Sequence, residues 1–219
     1  MRAGDGQSAR VGTALAIAPS VIVTDTKGRP FAGIRVLFGP LHGVGSVANT
    51  NALTDSTGLA SSGTWTLGSP AGNDTVTGYI AGFESITGSP VTFVAVGLSG
   101  PATRVNGSSA ASQIGMVGTP VDTAPRVHVV DAFGNGVAGV AVTFAVDSGG
   151  GSVAGAQQIT DTNGVATVGS WTLGPHIGAQ SLRATVAVDS LANNPVEFTA
   201  TAVYAGSSLS IASGNNQLI

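Results

Sequence analysis

The run Gly134-Asn135-Gly136-Val137-Ala138-Gly139 has the glycine spacing of a dinucleotide-binding loop. That chemistry needs a strand before the run and a helix after it, so that backbone amides converge on a pyrophosphate. Here the residues that follow, Val140-Ala141-Val142-Thr143-Phe144, alternate as a strand does, and 106 residues earlier Pro30 stands at the position of Gly136. The run reads as a turn. Gly28 and Gly134 supply a positive φ in a turn shaped by Asp25 and Asp131, and Gly33 and Gly139 are expected at a β-bulge. Asp25, Asp131, Asp55 and Asp161 are the acids that recur at this spacing. A metal needs several oxygens converging on one point, whereas turn-capping needs one carboxylate per turn, which is what this spacing provides. His42, His128 and His176 occupy unrelated positions, so no nucleophile, base and orienting group are brought together. No catalytic residue, metal site or cofactor is implied, and the chain reads as a non-enzyme.

The composition narrows the partners. Of 219 residues, only 9% are charged against 42% hydrophobic, and the net charge is -3. The charged share is well below the ~25% of an average soluble domain, so the surface must carry small neutral groups. The eight basic residues are scattered, which argues against nucleic acid. There is no cysteine, so disulfides and thiolate metal sites are excluded. Met1 to Asp5 carries an early acid and Ala14 to Ala18 is a brief apolar stretch, so neither a secretory signal nor a membrane span is expected there.

What positions these turns is an internal repeat. Shifting the chain by 106 residues lays Val23-Thr24-Asp25 on Val129-Val130-Asp131, and Ala32-Gly33-Ile34-Arg35-Val36-Leu37-Phe38 on Ala138-Gly139-Val140-Ala141-Val142-Thr143-Phe144. Gly45-Ser46-Val47 falls on Gly151-Ser152-Val153, and Trp65-Thr66-Leu67-Gly68 on Trp171-Thr172-Leu173-Gly174. With one residue deleted, Pro90-Val91-Thr92-Phe93 meets Pro195-Val196-Glu197-Phe198. Such a match marks a duplication. Within each copy, apolar residues alternate with a period of two, and in the second copy the runs are separated by Asp-x-x-Gly, Gly-Gly-Gly, Asp-Thr-Asn-Gly and Asn-Asn-Pro turns. About seven short strands per copy predict a β-sandwich. The large residues kept in both copies, Phe38, Trp65 and Phe93 with Phe144, Trp171 and Phe198, are expected between the sheets. Phe31, Tyr79 and Phe83 have no aromatic counterparts in the second copy and are the lead for a binding surface.

The pattern Asp-x-x-Gly-x-x-x-x-Gly-Val-x-Val-x-Phe, followed by Gly-Gly-Ser-Val, Thr-Asp-x-x-Gly-x-Ala and Trp-Thr-Leu-Gly, resembles the bacterial immunoglobulin-like (Big-1) repeats of invasin- and intimin-type surface proteins. The resemblance covers nearly the whole chain. It implies an all-β chain of two tandem immunoglobulin-like Greek-key sandwiches, displayed extracellularly or on a cell surface in stalks, adhesins or fibres. The domain reading is 1–98 for the first sandwich, 99–205 for the second and 206–219 for an orphan strand.

The two ends of the repeat pattern complement each other. The second copy opens with a strand near Ala102-Thr103-Arg104-Val105, while the first begins about halfway along the corresponding strand. After Val203 the chain continues through Leu209 and Ile211 as the opening strand of a third copy. A strand with alternating apolar residues can add to an open sheet edge. The expectation is a head-to-tail homopolymer joined by donor-strand complementation, with Leu209 and Ile211 as the donor residues. The other readings are a passive spacer in a longer adhesin or phage appendage, and a module for a host or cell-surface ligand.

Overall fold

The computed structural model describes residues 2–43, 45–82 and 86–206. They form two compact units, one of Met1–Ala102 with Val130–Val137 and one of Thr103–Val129 with the chain from Ala138 onward. Among the described residues there is no helix.

The first unit contains β1 (Arg2–Ala3), β2 (Gln7–Arg10), β3 (Ser20–Ile22), β4 (Arg35–His42), β5 (Ser46–Val47), β6 (Asn51–Leu53), β7 (Leu59–Ser61), β8 (Trp65–Thr66), β9 (Gly72–Ile80) and β10 (Val91–Leu98). Its five-stranded sheet runs β2-β10-β9-β4-β6, its three-stranded sheet β1-β3-β7, and β5 and β8 form a short ribbon. All pairs are antiparallel except β2 with β10. The second copy repeats the plan with β11 (Arg104–Gly107), β12 (Ser112–Met116), β13 (Arg126–Val130), β14 (Ala141–Ser148), β15 (Ser152–Ala154), β16 (Gln157–Ile159), β17 (Val165–Thr167), β18 (Ser170–Thr172), β19 (Gly178–Val186) and β20 (Val196–Val203). Its sheets run β12-β20-β19-β14-β16 and β11-β13-β17, with β15 and β18 as the ribbon.

The alternation of the sequence becomes two faces. Along β20, Phe198, Ala200 and Ala202 are buried while Glu197, Thr199 and Thr201 face solvent. Phe38, Trp65 and Phe93 are buried in the first core with Val36 and Val76, and Phe144, Trp171 and Phe198 in the second with Leu182. The strict period fails in β19, where Gln180, Ser181 and Leu182 are buried in succession. Gln180 can be buried because its carbonyl oxygen accepts the Gly174 amide (2.7 Å) and its side-chain nitrogen donates to the His176 carbonyl (2.9 Å). A reading from periodicity starts this strand at Ser181, three residues late.

The bulges also lie elsewhere than expected. They fall between Pro40 and His42 in β4 and between Val146 and Ser148 in β14. Gly33 and Gly139 instead take φ of 75° and 77° in the turns leading into those strands, where their amides donate to Thr54 and Thr160 carbonyls. The positive φ still explains the glycines.

Each recurring aspartate caps its own turn. Asp25 accepts the amides of Lys27 and Arg29 and pairs with the Arg29 guanidinium, Asp55 accepts those of Thr57 and Leu59, and Asp161 those of Asn163 and Val165. Gly28 and Gly134 hold φ of 77° and 88° in the turns of Asp25 and Asp131. Asp131 differs in being buried. It accepts the amides of Phe133, Asn135 and Gly100 and the Asn135 side chain, all at 2.8–3.0 Å.

Burial alone would raise the Asp131 carboxyl, but its hydrogen bonds with the Asn135 side chain and the Gly100, Asn135 and Phe133 amides hold it below the ordinary value. Asp25 is lowered chiefly by the Arg29 amide and Asp55 chiefly by the Thr57 hydroxyl. A carboxyl lowered in the folded state contributes stability that is present above its unfolded pKa of ~3.9 and is lost as pH falls through the folded value. The melting temperature should therefore hold steady down to about pH 5 and drop below about pH 4. Asp131→Ala, which strands buried amides, should cost about 2–3 kcal/mol, and Asp25→Ala less. Calorimetry from pH 7 to 2.5 checks both, and a melting temperature that rises on acidification would contradict the assignment.

Candidate strand-accepting groove

In the second copy, β11 is held on both sides by backbone. The Val105 amide donates to the Ala192 carbonyl, and the Ala192 amide to the Thr103 carbonyl, each at 3.0 Å. On the other side the Ser108 amide donates to the Arg126 carbonyl at 2.9 Å. Antiparallel counting from that bond sets Gly107 opposite Val127 and Val105 opposite Val129. The Val105 side chain is fully buried, and Val127 and Val129 beneath it are 0% exposed.

The first copy builds the same walls around an open space. Its β1 places Arg2 opposite Val21, the counterpart of Val127, so Arg2 takes the position of Gly107 in register. In this register the positions of Arg104 and Val105 run alongside Thr24 and Val23. A groove of about 140 Å³ lies there, lined by Val21, Val23, Val36, Ile80, Ile86 and Val91 with Thr87 on its rim. These residues correspond through the repeat to Val127, Val129, Val142, Val186, Leu191, Val196 and Ala192. Val23 is only half-buried where its counterpart Val129 is sealed. The groove approaches the ~150 Å³ of an apolar cavity that takes a benzene-sized guest, so a single branched aliphatic side chain fits.

Tyr79, one of the unmatched aromatics, lines this groove, whereas Phe31 is 51% exposed and apart from it. Phe83, Leu209 and Ile211 lie outside the described residues. The glycine run from Gly134 to Gly139 joins β13 to β14 with no helix. His128 is on β13, His42 ends β4, and His176 lies in the loop before β19. Among the described residues no group of three or more His, Asp or Glu side chains is placed to hold a metal, and no helix is long and apolar enough to cross a membrane. The composite wall of the groove escaped the sequence reading because Thr87 and Ile86 reach it through a loop of weak patterning. Val105 carried a usable signal, its place in the strand that opens the second copy.

The two units have the fold of immunoglobulin-like β-sandwich domains. No family model and no curated protein matches it. Among solved structures, InvD of Yersinia pseudotuberculosis shares the fold with a TM-score of 0.55 and 16% identity, covering 94% of this chain and 58% of that one. The chain thus spans little more than half of InvD. The Escherichia coli adhesin FdeC aligns with a TM-score of 0.45 and 19% identity over 91% of this chain and 62% of its own, and the D0-D1 domain of intimin with 0.37 and 20% over 91% and 95%.

Proposed function

We propose that the chain is an extracellular structural protein, a subunit of a surface filament in which residues from 207 onward of one copy enter the first-copy groove of the next. The observation that carries this reading is the pair of related sites. In the second copy the groove is filled in cis by β11 with Val105 at its centre, and in the first the same walls surround open space. The tail has the alternating Ser207-Ser208-Leu209-Ser210-Ile211 pattern that such a site takes. A contact between two different surfaces propagates into a fibre instead of closing. The sparsely charged surface favours packing of such fibres side by side.

A fully buried leucine contributes about 1.5–3 kcal/mol and each ladder hydrogen bond about 1 kcal/mol net. Association itself costs at least about 4 kcal/mol, so assembly should depend on concentration. Electron microscopy of the purified chain over a concentration series tests the reading. Fibres above a threshold concentration are expected, and monomers at every concentration would contradict it.

A further inference from the structure

The register of the joint can be read from the second copy. Gln113 in β12 bonds the Thr123 backbone through both ends of its amide, as Gln7 in β2 bonds Ile17. Gln217 holds the same relation to the tail: laid on Gln113, it puts Leu209 on Val105, Ser208 on Arg104 and Ile211 on Gly107. The alternation agrees, since a shift of one residue would put Ser210 in the apolar site and turn Leu209 and Ile211 outward.

From this alignment we infer that the tail enters in one register, with Leu209 as its anchor and Ile211 subordinate. The inference rests on the donor-strand reading above. In that register Leu209 stands opposite Val23 and fills the groove as Val105 does, and Ser208 stands opposite Thr24. The Leu209 amide donates to the Thr87 carbonyl and the Thr87 amide to the Ser207 carbonyl, reproducing the bonds between Val105, Ala192 and Thr103. The incoming strand is therefore read by two backbones at once, antiparallel along β3 and parallel along residues 86–88, as Arg104 runs parallel at Ala192. The site of Ile211 is different. A Cβ at Gly107 would meet Val196 and Phe198 in ordinary contact, at 3.5 and 3.6 Å, but in the first copy the equivalent position opposite Val21 is held by Arg2. Ile211 can pack against Val91 and Phe93 only after the two-residue β1 gives way.

The chain has no cysteine, so paired thiols report the register directly. Ser208 and Thr24 would be directly opposed, at a Cα separation of ~5.5 Å that a disulfide spans, whereas Ser210 and Thr24 are diagonal neighbours ~7–8 Å apart. Oxidising Ser208→Cys/Thr24→Cys fibres should give a covalent ladder on denaturing gels, and Ser210→Cys/Thr24→Cys should not. Leu209→Asn should lower the fibre yield at fixed concentration by about tenfold or more, and Ile211→Asn by less than about threefold, since tenfold corresponds to 1.4 kcal/mol. Fibres that cross-link through 210 and 24 instead, or that depend on Ile211 more than on Leu209, overturn the register and leave the filament reading standing. Absence of both fibres and cross-links in the unmutated and thiol-bearing chains overturns the filament reading and this inference with it.

Discussion

The chain truncated after Gly206 is expected to stay monomeric at concentrations where the full chain forms fibres. The deletion removes only residues 207–219, and both cores, from Val11 to Ala202, lie within what remains. Its two sandwiches should melt as they do in the full monomer, which separates loss of assembly from loss of fold. The effect is large because the walls Val21, Val23 and Ile86 stay in place while the side chain and the hydrogen bonds that bridge them are gone. Electron microscopy and calorimetry on the same sample provide the comparison. Fibres that persist in the truncated chain would remove the tail from the account.

Trp171→Ala should be the most damaging single change to stability in the second unit. The Trp171 side chain is 0% exposed, and its strand pairs with β15, Val153 standing opposite Trp171. Its backbone carbonyl accepts the Val121 amide at 2.9 Å, which truncation of the side chain leaves alone. Its indole nitrogen is buried without a hydrogen-bond partner, so what is lost is packing. Buried tryptophan truncated to alanine costs about 3–5 kcal/mol, which for a unit of this size lowers the melting temperature by about 12 °C or more. The first unit, whose own Trp65 is untouched, should keep its transition. A loss below about 1 kcal/mol would mean that the cavity collapses and that this tryptophan does not set the spacing of the sheets.

Strands and turns were legible in the sequence because each rests on a local rule. Period-two alternation marks a half-buried strand, as in Val196–Val203, and an aspartate two residues before an amide marks a capped turn, as at Asp55 and Thr57. What escaped depended on contacts that no periodic pattern records. Gln180 breaks the alternation because the irregular loop just before its strand satisfies its amide, through Gly174 and His176, and Gly33 lies in a turn and not a bulge because its partner Thr54 is twenty-one residues away. The groove was invisible for the same reason, since its walls come from β3, β9, the residues before β10 and the edge of β4. The repeat itself made it interpretable: one copy displays the filled site and the other the open one.

The central claim is that the open site takes this particular strand, and a synthetic peptide of residues 207–219 titrated into the chain truncated after Gly206 tests it most directly. Calorimetric binding should saturate at one peptide per chain, with a negative heat-capacity change from apolar burial, and a peptide carrying Leu209→Asp should fail to bind. Absence of binding, or equal binding by the two peptides, would contradict the account.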